Sequence, residues 1–309
     1  MTKWTVSEMP SQQGRVAVVT GTVGLGYETA LALARSGAEV IVAGRNFRNG
    51  DAAVGRIQAR ARSGKVRFEP LDLASLKSVE AFSERLKGQL GRIDLLVNNA
   101  GVMVPPKRLE TEDGFELQLG TNYLGHFALT ARLMPLLQKG RDARVVSVSS
   151  IAARRGRINF DDLQAAGSYE PFPVYAQSKL ACLIFALELH RRSMAGRWGV
   201  TSLSAHPGLS RTNLLLNAPG QKSISLSRRL ARLMFQPASK GALPTLYAAT
   251  APGAAPGGYY GPDGPAELRG YPAPSVVPDK AQDPETAARL WRLSEDLTGV
   301  AFAAERQGA

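Results

Sequence analysis

An alternation restricts the fold more than any other feature of this chain. Apolar runs of strand length at residues 15–20, 39–43, 65–69, 93–97, 144–148 and 200–205 are separated by stretches with helical periodicity. Buried strands alternating with helices imply a parallel sheet, because parallel neighbours need crossover connections and the crossover helices cover both faces. A single doubly wound α/β domain of the Rossmann type, with helices on both faces, is therefore expected. The first unit adds chemistry. Residues 15–20 (Arg-Val-Ala-Val-Val-Thr) run into Gly21-Thr-Val-Gly24-Leu-Gly26, then a helical pattern over 27–35, then a strand ending at Gly44-Arg45-Asn46. Strand, Gly-rich turn, helix and strand within about thirty residues is the layout of a dinucleotide-binding unit. Its glycines let the backbone approach a pyrophosphate, and the helix N-terminus offers N–H groups and a positive dipole end.

Ligands of such sheets bind beyond the carboxyl ends of the strands. Gly21, Arg45, Asp72, Asn99, Ser150 and Pro207 all fall at expected strand ends, on one rim. A helix is expected over 75–90 with Ser75 as its N-cap, and a long one over 112–138 containing Asn122. Further helices are expected over 237–251 and 283–297, with a last short strand at 258–260. Between them, 209–236 mixes leucines with arginines and reads as amphipathic helix, either a lid over a substrate or an ordinary packed segment. The organisation expected is an N-terminal arm over 1–13, a dinucleotide-binding catalytic domain over 14–271 with the lid at 209–236, and a C-terminal extension with one helix over 272–309.

Tyr175-Ala-Gln-Ser-Lys179 is the stretch with proton chemistry. Residues four apart share a helix face. A cation beside a phenol favours the phenolate, so such a tyrosine can exchange a proton with a hydroxyl or carbonyl near neutral pH. Ser150, at the end of a strand, could hydrogen-bond the same oxygen. A Tyr and a Lys at this spacing also occur by chance on amphipathic helices, so the pair gains its meaning from the other residues of the rim.

Composition excludes several classes. The formal charge is +12, but the arginines are scattered rather than gathered into a block, which reads as a solvated basic surface and not as a nucleic-acid site. Cys182 is the only cysteine, so no internal disulfide can form and a reducing, cytoplasmic setting is expected. The N-terminus has no apolar signal region, and no unbroken apolar run reaches membrane-spanning length. His126, His190 and His206 are too dispersed for a metal site.

Together these pieces resemble the short-chain dehydrogenase/reductase family over roughly residues 12 to 270. The match is carried by Thr20-Gly21, Gly24-Leu25-Gly26, Asp72, Asn98-Asn99-Ala100-Gly101, Asn122, Ser150, Tyr175 with Lys179, and Pro207-Gly208-Leu-Ser-Arg-Thr212. Asn122-Tyr-Leu-Gly-His-Phe127 and Arg157-Ile-Asn-Phe-Asp-Asp-Leu-Gln164 look like the retinol-dehydrogenase-like branch. The resemblance implies Tyr175 as general acid or base, with Lys179 assisting it and holding the nicotinamide ribose. It implies Ser150 orienting the substrate oxygen and Asn122 holding a relay water. The cofactor set it implies is Gly21, Thr22, Gly24, Leu25, Gly26, Arg45, Asn46, Asp72, Leu73, Asn99, Ala100, Gly101, Tyr175, Lys179, Pro207, Gly208 and Thr212. Related proteins commonly pair through the helices matching 112–138 and 174–194, so a homo-oligomer belongs to the implied partners beside a small-molecule substrate.

An acid at the end of the second strand would bind a ribose 2′-OH, but this chain offers Arg45 and Asn46. Guanidinium suits a 2′-phosphate, so NADP(H) is favoured over NAD(H). The pocket walls expected at 102–109, 171–174, after Ser150 and over 209–236 are largely apolar and favour a hydrophobic substrate. The expected activity is alcohol–carbonyl interconversion. One departure stands out: only Thr22 and Val23 separate Gly21 from Gly24, one residue fewer than the family pattern. That shortened turn supports an alternative, a dinucleotide-binding sensor or partner module with little catalysis.

Overall fold

The computed structural model describes residues 3–61, 65–210 and 235–302. Thr212 and nearly all of the 209–236 segment lie outside the described residues. The described strands are β1 (Val16–Thr20), β2 (Glu39–Gly44), β3 (Val66–Pro70), β4 (Leu95–Asn98), β5 (Ala143–Val148), β6 (Val200–Ala205), β7 (Tyr259–Pro262) and β8 (Pro272–Pro274). They form one sheet in the order β3-β2-β1-β4-β5-β6-β7-β8. Every pairing is parallel except β7 with β8. The doubly wound sheet expected from the alternation is present, with an antiparallel edge added. β8 is Pro-Ala-Pro, and proline survives in a strand only where its missing N–H faces away from a neighbour, as at this edge.

The core lies on both faces of the sheet. Along β2, Val40 and Val42 pack on one face, and Ile41 and Ala43 on the other. Helices α1 (Gly24–Arg35), α2 (Phe47–Gln58) and α6 (Leu243–Thr250) cover the first face. The second is covered by α3 (Leu76–Gln89), α4 (Gly125–Leu137), α5 (Pro171–Gly196) and α7 (Pro284–Thr298). Ser75 caps α3 by accepting from Ser78 N, as expected. α5 has 26 residues and is long and apolar enough to cross a membrane, but 83% of its most apolar window is buried inside the protein.

Two expectations need correction. The long helix expected from residue 112 begins at Leu117, because residues 111–116 fold into a tight loop closed by Thr111 N donating to Phe115 O. It is also not uniformly α-helical: Gly120–Leu124 is a π-helical turn. α2 was not foreseen. Its buried face is only Gly50, Ala53 and Ile57, and it carries two glycines. Gly50 is required, because a Cβ there would stand 2.2 Å from the Phe68 ring.

α7 packs across α4 and α5. Trp291 lies against Phe127 and Phe185, with ring centroids 5.2 and 5.8 Å away. The helices that the resemblance offered for self-association are therefore packed against the chain's own C-terminal helix.

Candidate active site

The sheet order reverses between β1 and β4, so their carboxyl ends open a crevice. It encloses about 390 Å³. Gly21, Thr22, Gly24, Leu25, Arg45, Asn46, Asp72, Leu73, Asn99, Ala100 and Gly101 all line it. The short turn closes on glycine. Gly21 takes φ +104° and donates its N–H to Ala43 O at 2.7 Å, and Gly24 takes φ +56°. A Cβ on Gly26 would stand 2.4 Å from Gly21 O and 2.6 Å from Asn99 Nδ2, so Gly26 backs the turn directly. α1 has no side-chain N-cap. Thr121 Oγ1 is buried on the crevice wall with no partner among the described residues. A glycine cradle, an uncapped helix start and an orphan hydroxyl fit a dinucleotide. Arg45 is exposed and has no ion pair to any described residue.

Tyr175, Lys179, Ser150, Pro207 and Gly208 lie outside this crevice, farther along the same rim. Gly101 is the junction: a Cβ there would stand 2.8 Å from Asn122 Oδ1 and 3.6 Å from Lys179 Nζ. Asn122 Oδ1 accepts from Val102 N (2.7 Å), and its Nδ2 donates to Val102 O (3.0 Å) and Ser178 Oγ (2.9 Å). Ser178 Oγ in turn donates to Tyr175 O at 2.8 Å. Lys179 Nζ donates to Val148 O at 3.0 Å, two residues before Ser150. Ser150 caps a 3-10 turn, Ile151–Arg155, by accepting from Ala152 N. Ala152 packs against Tyr175 and Ala176, with Met103 and Val104 alongside. Hydrogen bonds thus join Asn122 through Ser178 to the Tyr175 backbone, Lys179 Nζ lies beside Asn122 at Gly101, and Ser150 stands two residues beyond the Val148 carbonyl that Lys179 bonds.

Asn122 sits inside the π-helical turn, and such turns recur at functional sites. Its carbonyl accepts from His126 Nδ1 at 2.9 Å and from Cys182 Sγ at 3.2 Å. That carbonyl thus already has two donors, and a relay water bound to it would have to replace the weak thiol donor. Burial pushes the Cys182 thiol pKa up, which keeps it in the inert protonated form. Burial also lowers the His126 pKa to about 4. This histidine serves hydrogen bonding in the core.

Sequence reading missed several residues that hold the site. Ser178 lies inside the Tyr-Ala-Gln-Ser-Lys stretch, where a small polar residue on a buried helix face was the available signal. Gln118 holds the pocket loop by accepting from Val104 N at 2.8 Å. Glu116, fully buried, caps the start of this helix by accepting from Gln118 N and Leu119 N. Burial raises its pKa against the opposing effect of those bonds.

Known proteins resemble this chain over most of its length. The family model for short chain dehydrogenase matches residues 15–222. A polyprenol dehydrogenase of Mus musculus is 43% identical, the match covering 94% of this chain and 86% of the relative. Retinol dehydrogenase 12 of Mus musculus is 38% identical, covering 93% and 87%. The crystal structure of an uncharacterized protein from Mycobacterium Paratuberculosis is 40% identical with a TM-score of 0.81, covering 98% of this chain and all of that one. The family model spans most of the chain and these relatives match nearly its whole length, so the chain belongs to the short-chain dehydrogenase/reductase family of oxidoreductases.

Proposed function

We propose that this oxidoreductase interconverts an alcohol with an aldehyde or ketone on a hydrophobic small molecule, using NADP(H), with Tyr175 as general acid/base. The observation that carries this reading is the chain Asn122–Ser178–Tyr175, with Lys179 Nζ and Asn122 meeting at Gly101, where the dinucleotide crevice ends. Gly21, Gly24, Gly26, Asp72, Asn99 and Gly101 would hold the cofactor, with Pro207 and Gly208 at its nicotinamide end. When bound, the nicotinamide supplies or accepts the hydride. The chain supplies alignment and the proton. Tyr175 gives its phenolic proton to the carbonyl oxygen in reduction and takes it back in oxidation. Ser150 orients that oxygen, and Lys179 would hold the ribose hydroxyls.

Arg45 at the end of β2, with no acid beside it there, supports a 2′-phosphate and hence NADP(H). A hydrophobic substrate is supported by Met103 and Val104 against Tyr175, and by Leu109 and Phe172, left 44% and 41% exposed. The names of the relatives, polyprenol and retinol dehydrogenases, point the same way. A reducing, cytoplasmic setting is part of this reading, supported by the single cysteine.

The test is NADPH-coupled turnover of a panel containing retinal, farnesal and dodecanal, with wild-type protein and Tyr175→Phe. The variant should lower kcat on the order of 10³-fold while the NADPH Kd stays within about threefold. Tight NADPH binding with no turnover of any panel member would favour the binding-module alternative instead.

A further inference from the structure

The turn after Ser150 and the Pro207–Gly208 turn follow different strands, β5 and β6, yet one carboxylate touches the anchors of both. Glu267 Oε2 accepts from His206 Nε2 at 2.7 Å and from Ser275 Oγ at 2.5 Å. Its Oε1 forms an ion pair with Arg154 Nη2 at 2.5 Å. Arg154 belongs to the 3-10 turn that Ser150 caps. His206 is fully buried and directly precedes Pro207. Gly208 N donates to His206 Nδ1 at 3.2 Å, which requires a lone pair there and fixes a neutral imidazole with its proton on Nε2. Gly261 makes room for the ring, since a Cβ there would stand 2.0 Å from Nε2. Arg154, one of the scattered arginines whose distribution reads as a solvated basic surface, is part of this group.

Backbone contacts reinforce the link. Gly208, at φ +61°, lies so close that a Cβ would meet Leu268 O at 2.4 Å and Glu267 O at 2.8 Å. Leu209 N donates to Leu268 O at 2.7 Å. Ala266 and Glu267 are both held at positive φ, +52° and +56°. Two successive non-glycine residues in that region persist only where surrounding contacts over-determine them. Burial pushes the Glu267 pKa up, but the bonds from His206 and Ser275 outweigh it and hold the group at about 2.

We propose that Glu267 is a positioning residue, a clamp that fixes the turn after Ser150 relative to the Pro207–Gly208 turn. Resting on the functional reading above, the clamp sets the substrate oxygen held near Ser150 and Tyr175 against the nicotinamide end of the cofactor site. Arg154 and His206 are its two arms. A misplacement of about an ångström between reacting groups is enough to cost rate while leaving binding intact.

The experiment compares full-length wild-type protein with Glu267→Gln, Arg154→Ala, Arg154→Lys and the Glu267→Gln/Arg154→Ala double variant. It measures farnesal reduction with NADPH, the NADPH Kd, and amide hydrogen exchange. Glu267→Gln and Arg154→Ala should each lower kcat about tenfold with KM and Kd within about threefold. Arg154→Lys should recover to within about threefold, and the double variant should fall no further than the worse single. Exchange at 149–156 and 206–210 should rise together in Glu267→Gln. If that variant fails to fold, Arg154→Ala makes the same comparison. Unchanged kcat, additive losses in the double variant, or exchange that rises at 263–275 alone overturns the clamp. A wild-type protein inactive on the whole aldehyde panel would sink the oxidoreductase reading, while the exchange measurement still decides the clamp.

Discussion

The hydroxyl of Thr20 and the imidazole of His126 meet at 2.9 Å, joining the last residue of β1 to the helix that follows Asn122. His126 Nδ1 donates to Asn122 O, so its Nε2 accepts and Thr20 is the donor. Thr20 Oγ1 also accepts from Asn99 N at 2.8 Å and Ala100 N at 2.9 Å. The end of β1, the Asn99–Ala100 turn and Asn122 thus share one buried network. Burial holds the His126 pKa at about 4 against an ordinary 6.5, so the unfolded chain takes up the proton first as pH falls. The stability linked to this group is complete above about pH 6.5 and is lost progressively toward pH 4, by roughly 3 kcal/mol at most. Thermal melts of wild type and His126→Gln at pH 7, 6 and 5 should show the steeper acid loss in wild type; parallel slopes would remove His126 as the cause.

Arg45→Ala should weaken NADPH binding by about 10- to 100-fold, the worth of a charge-assisted hydrogen bond, and leave NADH nearly unchanged. Fluorescence titrations with both cofactors measure this. Equal losses for the two would mean that Arg45 stacks on adenine and does not read the phosphate.

Gly26→Ala puts a methyl group 2.4 Å from Gly21 O, a backbone atom that cannot swing aside. Overpacking of this kind costs about 1–3 kcal/mol, and here it also distorts the phosphate turn, so NADPH binding should fall at least tenfold. Gly55→Ala is the control. A Cβ there meets nothing within 4 Å in the middle of α2, so the substitution should stabilise by about 0.5–1 kcal/mol. Melting temperatures and cofactor titrations on the pair test both statements, and an unaffected Kd in Gly26→Ala would contradict the first.

Ser178→Ala leaves Asn122 Nδ2 one acceptor short in a buried site, at a cost of about 1–3 kcal/mol. It also cuts the only side-chain bridge described between Asn122 and the Tyr175 backbone. A kcat reduced about tenfold with an unchanged NADPH Kd is expected from steady-state kinetics. An intact kcat would reduce Ser178 to a fold-stability role.

Most of the sheet was legible because strand burial is written directly as apolar runs, as in Val40, Ile41 and Val42. The rim residues were legible because loops at strand ends interrupt those runs. α2 was hidden by its composition, since Gly50 is dictated by a ring on β3 that no local pattern announces. β8 was hidden because prolines argue against a strand unless its edge position is known. Within the site, Tyr175 and Lys179 advertise themselves by spacing, whereas Ser178 looks like filler until Asn122 is brought to it. The His206–Glu267 pair is separated by 61 residues and depends entirely on how β6 and β7 lie side by side.

The π-helical turn at Gly120–Leu124 has a bearing on which length changes the chain can tolerate. A π turn holds one residue more than an α turn over a similar rise, and each residue of an α-helix advances the facing direction by about 100°. Deleting a single residue there would let the segment relax into continuous α-helix with the flanking segments facing as before, while turning the residues inside it by about that angle. Asn122 could then no longer face Gly101 while His126 faces Thr20. Natural relatives that keep this chemistry should therefore vary in loop length on either side of 120–124 but not within it.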